Sequence, residues 1–310
     1  MNAIKVLLRR EVWENRSITM APLVFSGIYV FVTLLAVAGA ITVQVNDYGV
    51  DFDEFARSLD SANTGAVMQM GLTSLAVTFN MLMIVVSLFY LLDSLYAERK
   101  DKTILFWKSL PVSDVTIVCS KLLTAAVVIP LTTLVFFFLT SIAGYLIAGT
   151  TLAFSGSTSV LAAGPGAILE TTLTVLYGFV VQSIWYLPIY CWLLLVSAWS
   201  RKATLLWAIL PIWGVAALEA MIFRSDRFLD LIGERIVGVF PLAFRHSPNE
   251  EVVWEYEGPG ASLDIEGHAN ISQLIDPGSF LSSPGLWGGL VVAFVLFAGA
   301  VWLRRYRDES

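Results

Sequence analysis

The sequence predicts an all-α membrane protein built as a bundle of six transmembrane helices. Three observations carry that prediction. Six apolar runs, each long enough to cross a bilayer alone, lie near residues 19–43, 65–92, 115–149, 168–198, 203–223 and 285–303. Fourteen of the nineteen Lys and Arg residues fall into four short patches outside or at the ends of those runs. The runs are also too long and too uniformly apolar for barrel strands, and lipid offers backbone amides no partner, so each must close its own hydrogen bonds as a helix.

The first 17 residues, MNAIKVLLRREVWENRS, set Ile4, Leu7, Leu8, Val12 and Trp13 at helical spacing among basic side chains. That pattern predicts an amphipathic helix lying in the membrane interface. In the first run, Ala36, Val37 and Ala38 form a small-residue triplet of the kind found at signal cleavage sites. The apolar stretch before and around it outruns the roughly 7 to 15 residues of a signal core, which predicts an uncleaved first span. A helix crosses roughly 30 Å of hydrocarbon with about 20 residues, so the longer third and fourth runs predict tilt, a kink or an interfacial extension. Pro130, Pro188 and Pro211 fall inside spans three, four and five, where each removes an amide donor and favours a kink. Gly285 and Gly289 place one GxxxG at the start of span six, a weak signal for dimerisation.

Three connections carry further information. Residues 93–114 and the start of span three read DSLYAERKDKTILFWKSLPVSDVTIVCSK, in which nine charged residues share the stretch with Phe106 and Trp107, so headgroups or a partner protein should cover the rings. Segment 224–284 opens on Phe228, Leu231, Ile232, Arg235 and Val239 near helical spacing, which predicts short re-entrant or interfacial helices between spans five and six. Its second part reads as an ordered loop or a small hairpin around residues 251–256. The acidic 46–64 loop carries Asp47, Asp51, Asp53, Glu54 and Asp60 against Arg57.

With six spans the four basic patches share one side. They are Lys5, Arg9, Arg10 and Arg16; Arg99, Lys100, Lys102, Lys108 and Lys121; Arg201 and Lys202; and Arg304, Arg305 and Arg307. Basic residues resist translocation, which predicts that this side and both termini are cytoplasmic. The net charge of −6 averages a basic face and an acidic one, and its asymmetry is the useful quantity.

The search for chemistry excludes more than it finds. No Gly-Lys pair exists anywhere, so a phosphate-cradling P-loop is absent. The only histidines, His246 and His268, sit outside the spans without an H-E-x-x-H, which disfavours an embedded zinc protease or a Ser-His-Asp hydrolase. Cys119 and Cys191 read as small apolar packing residues. Catalytic, metal and cofactor sites are therefore expected to be none. Among intramembrane polar groups, Asn80 and Gln182 suit an interhelical hydrogen bond, while Glu219 could face a polar cavity, pair with Arg224 or snorkel. These three residues are the candidates for a translocation path.

The tract from Tyr96 to Ser113, with Glu98, Arg99, Thr103, Ser109, Leu110, Pro111 and Ser113 in place, resembles the E-R-x-x-x-T-x-x-x-x-x-S-L-P-x-S segment of bacterial type 2 ATP-binding cassette (ABC) exporter permeases. The resemblance extends more loosely over the whole chain. It implies a half-transporter in a bacterial inner membrane that pairs with itself or a sister permease and binds two separate cytoplasmic ATPase subunits. Those subunits would hold the ATP and Mg. It also implies that Glu98, Arg99, Lys100, Asp101, Lys102, Thr103, Phe106, Trp107 and Lys108 form the coupling element against the ATPase. The apolar lining of the spans suits an amphipathic or apolar cargo such as a peptide, drug or lipid-like molecule, and no nucleic-acid partner is expected. A non-transporting anchor or sensor fits the same topology; an ion-driven transporter fits less well, having only Glu219 near the membrane interior.

Overall fold

The computed structural model describes residues 3–38, 43–45, 48–50, 61–101, 112–154, 159–244 and 275–306. Among them the order is α1 (Ala3–Glu14), α2 (Ser17–Val37), a hairpin of β1 (Val43–Val45) and β2 (Tyr48–Val50), α3 (Ser61–Lys100), α4 (Asp114–Leu123), a π-helical turn (Thr124–Val128), α5 (Ile129–Phe154), α6 (Ser159–Trp185), α7 (Leu187–Trp199), α8 (Thr204–Phe223), α9 (Arg227–Val237), α10 (Val239–Ala243), α11 (Pro277–Ser282) and α12 (Pro284–Tyr306). Six helical stretches are long and apolar enough to cross a membrane: Ser17–Val37, Met68–Lys100, Asp114–Thr151, Gly164–Trp185, Thr204–Phe223 and Pro284–Tyr306. Each overlaps one of the six runs read from the sequence.

Span two, in α3, is the central helix. Half of its apolar window is buried, against 6% for span one. Helix α3 packs on α5, α6 and α7, while α7 packs along α12 and α2 along α5. The main core gathers Met83, Leu91 and Leu95 of α3 with Val118, Ile129, Leu194, Val196 and Ala300. A second cluster lies where α2, α3 and α5 meet, with Phe79 set edge-on between Phe25 and Phe137 at centroid distances of 5.0 and 5.9 Å. Thr140 donates to Ser26 across the same interface at 2.8 Å. Lipid supplies no hydrophobic drive between helices, so such close packing and interhelical hydrogen bonds set the contacts.

The boundaries depart from the sequence reading in physically legible ways. Span one ends at Val37 rather than 43, and Val43–Val45 instead pairs antiparallel with Tyr48–Val50, because β-branched residues favour the pleated strand over the helix. Span two runs on to Lys100, past the expected 92, and so takes in the first part of the 93–114 tract. Arg99 and Lys100 in its last turn oppose the negative end of the helix dipole. Span three starts at an N-cap, Ser113, whose Oγ accepts from the Thr116 amide at 3.2 Å. Ser113→Ala is expected to cost about 1 kcal/mol in the chemical unfolding of detergent-solubilised protein, and an unchanged unfolding curve would contradict the cap's role.

The two long runs are interrupted where prolines stand. Pro130 cannot donate to the Ala126 carbonyl and its ring crowds that turn; the wider π turn just before it absorbs the misfit. The fourth run is two helices, since α6 stops at Trp185 and α7 restarts at Leu187 with Pro188 in its first turn. Pro211 stays inside a continuous α8. The two breaks flank an apolar crevice of roughly 320 Å³ lined by Leu123, Ala126, Pro130, Phe179, Ser183 and Leu187 among others.

Between spans five and six, α9 and α10 form the expected pair of short helices. Val239 and Ala243 are buried in the main core beside Trp185 and Phe280. Helix ends leave carbonyls without intrahelical partners, and span four supplies the donors. The Trp185 indole donates to the Arg235 carbonyl at 2.9 Å, the Tyr186 hydroxyl to Ile236 at 2.6 Å and the Tyr177 hydroxyl to Ala243 at 3.2 Å. Trp185 stands 14 residues before Trp199, roughly 20 Å of helix, so the pair reaches down along span four.

The Gly285–Gly289 pair has a different use from the expected one. Arg235 lies against Gly289, where its guanidinium fills the place a Cβ would take, and Trp185 lies against Gly285, 3.3 Å from a Cβ there. The glycine groove is thus filled from within the same chain. The expected hairpin at 251–256, His246 and His268 lie outside the described residues. Cys119 and Cys191 are both free, and Cys191 is buried.

Candidate functional site at the basic end of the bundle

At the end of the bundle that carries the basic patches, five charged side chains from four helices meet, four of them out of reach of solvent and Asp114 at the edge. Lys121 of α4 sits between two carboxylates, with Nζ 3.0 Å from Glu11 Oε1 and 3.0 Å from Glu98 Oε1. Arg304 of α12 binds the other oxygen of Glu98 through Nη1 and reaches Asp114 through Nε at 3.2 Å. Tyr90 of α3 donates to Glu11 Oε2 at 2.8 Å. Glu11, Glu98, Lys121 and Arg304 are each 6% exposed or less, so these charges interact through a medium far less screening than water.

The local sequence explains how each group arrives. Leu7 and Glu11 stand four residues apart on α1 and are its buried positions, which points the carboxylate into the bundle with the apolar stripe. On the other side of α1, Arg10 pairs with Glu14 at 2.7 Å and the Arg9 guanidinium lies 4.7 Å over the Trp13 ring. Asp114 is the first residue of α4 and Lys121 comes two turns later, while Arg304 falls in the last turn of α12. Three carboxylates against two cations leave the cluster near neutrality, which is the condition for burying charge at all. Among the described residues no group of His, Cys, Asp and Glu side chains is placed to hold a metal. The carboxylates face cations of the chain itself.

A second tie lies beside the first. Arg99 turns toward α7, where Nη2 donates to the carbonyls of Ser197 and Ser200, the latter at 2.8 Å. The Ser197 hydroxyl in turn inserts among backbone groups of α3, donating to Leu92 O at 2.8 Å and accepting from the Leu95 and Tyr96 amides at 3.1 and 3.0 Å.

Of the residues expected to couple to an ATPase, Glu98 and Arg99 therefore point into the bundle, and Lys100 and Asp101 close α3. Lys102, Thr103, Phe106, Trp107 and Lys108 lie outside the described residues. Of the candidate path residues, Asn80 and Gln182 meet: Asn80 Nδ2 donates to Gln182 Oε1 between α3 and α6. Glu219 stands apart from them, accepting from Ser225 Oγ at 2.7 Å and from the Phe228 amide at 2.9 Å, so that it caps the start of α9 across the α8–α9 corner. The sequence reading does not single out Glu11, Tyr90 or Asp114, nor does it pair Lys121 and Arg304 with carboxylates. The available signal was a carboxylate on the apolar stripe of α1 and a lysine seven residues inside the third run.

Residues 64–196, from the start of span two to near the end of α7, match the model of the family described as ABC-2 family transporter protein. Comparisons with curated proteins and with solved structures gave no match. The matched stretch holds Glu98, Arg99, Asp114 and Lys121, and it sits among six helices long and apolar enough to cross a membrane; over residues 64–196 the chain is similar to the membrane permeases of the ABC-2 transporter family.

Proposed function

We propose that this permease exports an amphipathic or apolar molecule by alternating access, driven by ATP that separate ABC ATPase subunits hydrolyse at the basic end of the bundle. The observation that carries the reading is the placement of the buried cluster on both sides of the 102–111 tract. Glu98 lies just before that tract, Asp114 and Lys121 just after it, and Arg304 and Glu11 hold the two sides together. A displacement of the tract by a closing ATPase pair would reach spans two, three and six and α1 at once.

In this reading the basic end is cytoplasmic in a bacterial inner membrane, with both termini inside, and two permeases, alike or sister, meet two ATPases. Lys100 and Lys102 with the Phe106 and Trp107 rings would contact the ATPase. Glu98 and Arg99 act one step behind, positioning the tract on α12 and α7. Asn80 and Gln182 lie on the path through the bundle. ATP and Mg belong to the partner.

The test is co-purification of the permease with a candidate ABC ATPase subunit and comparison of ATP turnover with and without permease in lipid nanodiscs. A stable complex with altered turnover is expected. An ATPase that neither associates nor responds would overturn the reading in favour of a membrane anchor or sensor.

A further inference from the structure

Helices α3 and α6–α7 meet along a seam that is polar for a membrane interior. Its rungs are Asn80 with Gln182, Ser87 with Tyr190, and Ser197 with the α3 backbone at Leu92, Leu95 and Tyr96. The outer two rungs are tied by hydrogen bonds. The middle is looser: Ser87 faces Tyr190 and Gln182 faces Tyr186, yet the Ser87 and Tyr190 hydroxyls and the Gln182 Nε2 close no hydrogen bond of good geometry. All three residues are buried, Ser87 and Gln182 at 0% exposure and Tyr190 at 3%. One position on from Gln182, the buried Ser183 hydroxyl is likewise unpartnered and lines the apolar crevice between the breaks at Pro130 and Pro188.

Unpartnered polar groups in an interior are unfavourable, and they are more so where the surroundings are lipid. Four buried groups whose hydrogen bonding is unmet or poorly formed, gathered over two adjoining surfaces, mark a place that the polar groups of a ligand would satisfy better. Neither the α3 stretch from Asn80 to Leu91 nor the α6–α7 stretch from Gln182 to Trp199 contains a carboxylate or a cation, and the crevice lining is uncharged. The groups on offer are amide and hydroxyl, which match neutral hydrogen-bonding groups and offer a charge no counter-ion. At its lower end the seam joins the buried cluster, since Tyr90 lies one turn beyond Ser87 and donates to Glu11. Helix α3 thus carries both the seam and Glu98.

We propose that the seam between α3 and α6–α7, with the crevice at Ser183, is the cargo site within one permease subunit, and that it receives an uncharged amphipathic molecule whose neutral polar groups bind Ser87, Gln182, Ser183 and Tyr190 while its apolar body occupies the crevice. The proposal rests on the export reading above. In the closed seam these four groups close no well-formed hydrogen bond. Movement of α3, driven from Glu98, parts the middle rung and admits cargo and water.

Thiol accessibility tests this. A single reporter, Ser87→Cys, is placed in a permease carrying Cys119→Ser and Cys191→Ala, reconstituted with its ATPase in proteoliposomes and exposed to a charged methanethiosulfonate reagent, which reacts only with a hydrated thiol. Modification in one nucleotide state and none in the other is expected. Dodecyl maltoside at sub-lytic concentration should protect the thiol and dodecyltrimethylammonium should not. Absence of modification in every state, with a Trp13→Cys control labelled, overturns the seam, and protection by the cationic probe alone overturns the neutral cargo class. Modification indifferent to nucleotide supports a hydrated seam and overturns ATP-driven opening instead, so the two readings fail separately. Gln182→Cys provides the reporter if Ser87→Cys does not assemble.

Discussion

Glu98→Gln is expected to destabilise the permease by about 3–5 kcal/mol, the usual cost of removing one partner from a buried ion pair. Glu98 is the shared acceptor of Lys121 and Arg304, so neutralising it strips a carboxylate contact from each of two buried cations and leaves Arg304 with only the partly exposed Asp114. Coulomb energy scales inversely with the local dielectric, and at this burial water does little to compensate. The measurement is the unfolding midpoint of the purified protein in detergent, together with the yield of folded protein. Glu98→Gln combined with Lys121→Met should recover part of the loss, because it removes a charge of each sign. Independent, additive losses would show that the two residues are not coupled in the way their contact requires.

The second large effect is expected at Gly289. A Cβ at this position would overlap the Arg235 guanidinium, which the Gly285 carbonyl holds through Nη1 at 3.0 Å and which lies 4.2 Å over the Trp185 ring. Gly289→Leu should therefore expel Arg235 from the groove and lift the end of α9 from α12, at a cost of about 1–3 kcal/mol for overpacking. Protease susceptibility of the segment between spans five and six should rise with it. Because the clash is with one side chain, Gly289→Ala paired with Arg235→Ala should cost less than the sum of the two single changes. Strict additivity would place the groove's occupant elsewhere. If the glycines served only a contact between subunits, Arg235→Ala would leave the Gly289→Leu defect untouched.

Much of this architecture is legible in the chain because its strongest signals are long. About 20 apolar residues cannot be hidden in a membrane protein, and the basic patches between such runs are as plain. The end points are less legible. Span one yields to a hairpin at Val43 because β-branched residues serve either state, and span two runs on to Lys100 because Glu98 and Arg99, whose charges suit water, are paired inside. Pro130 and Pro188 mark real interruptions whereas Pro211 does not, since a proline alone does not say whether neighbouring helices will accommodate it.

The site was legible only in part. The Asn80–Gln182 pair follows from two amides in apolar runs, each of which must find a partner. The charge cluster does not, because its members come from positions 11, 98, 114, 121 and 304, and nothing local tells a lysine that balances a headgroup from one that bridges two carboxylates. The glycine pair was ambiguous for a related reason. Small residues at i and i+4 announce close approach, and whether the visitor is a second helix or an arginine depends on what the fold brings there.

The most direct test of the central claim, that the buried cluster carries ATPase movement into the bundle, is ATP turnover of the reconstituted complex with Glu11→Gln and Lys121→Met together. Removing both charges of a buried pair is often neutral for stability, so this variant should fold and bind its ATPase. The account predicts an assembled complex in which permease-dependent change in turnover is lost. An assembled complex with wild-type turnover would show that the cluster only holds the helices together and that coupling runs elsewhere.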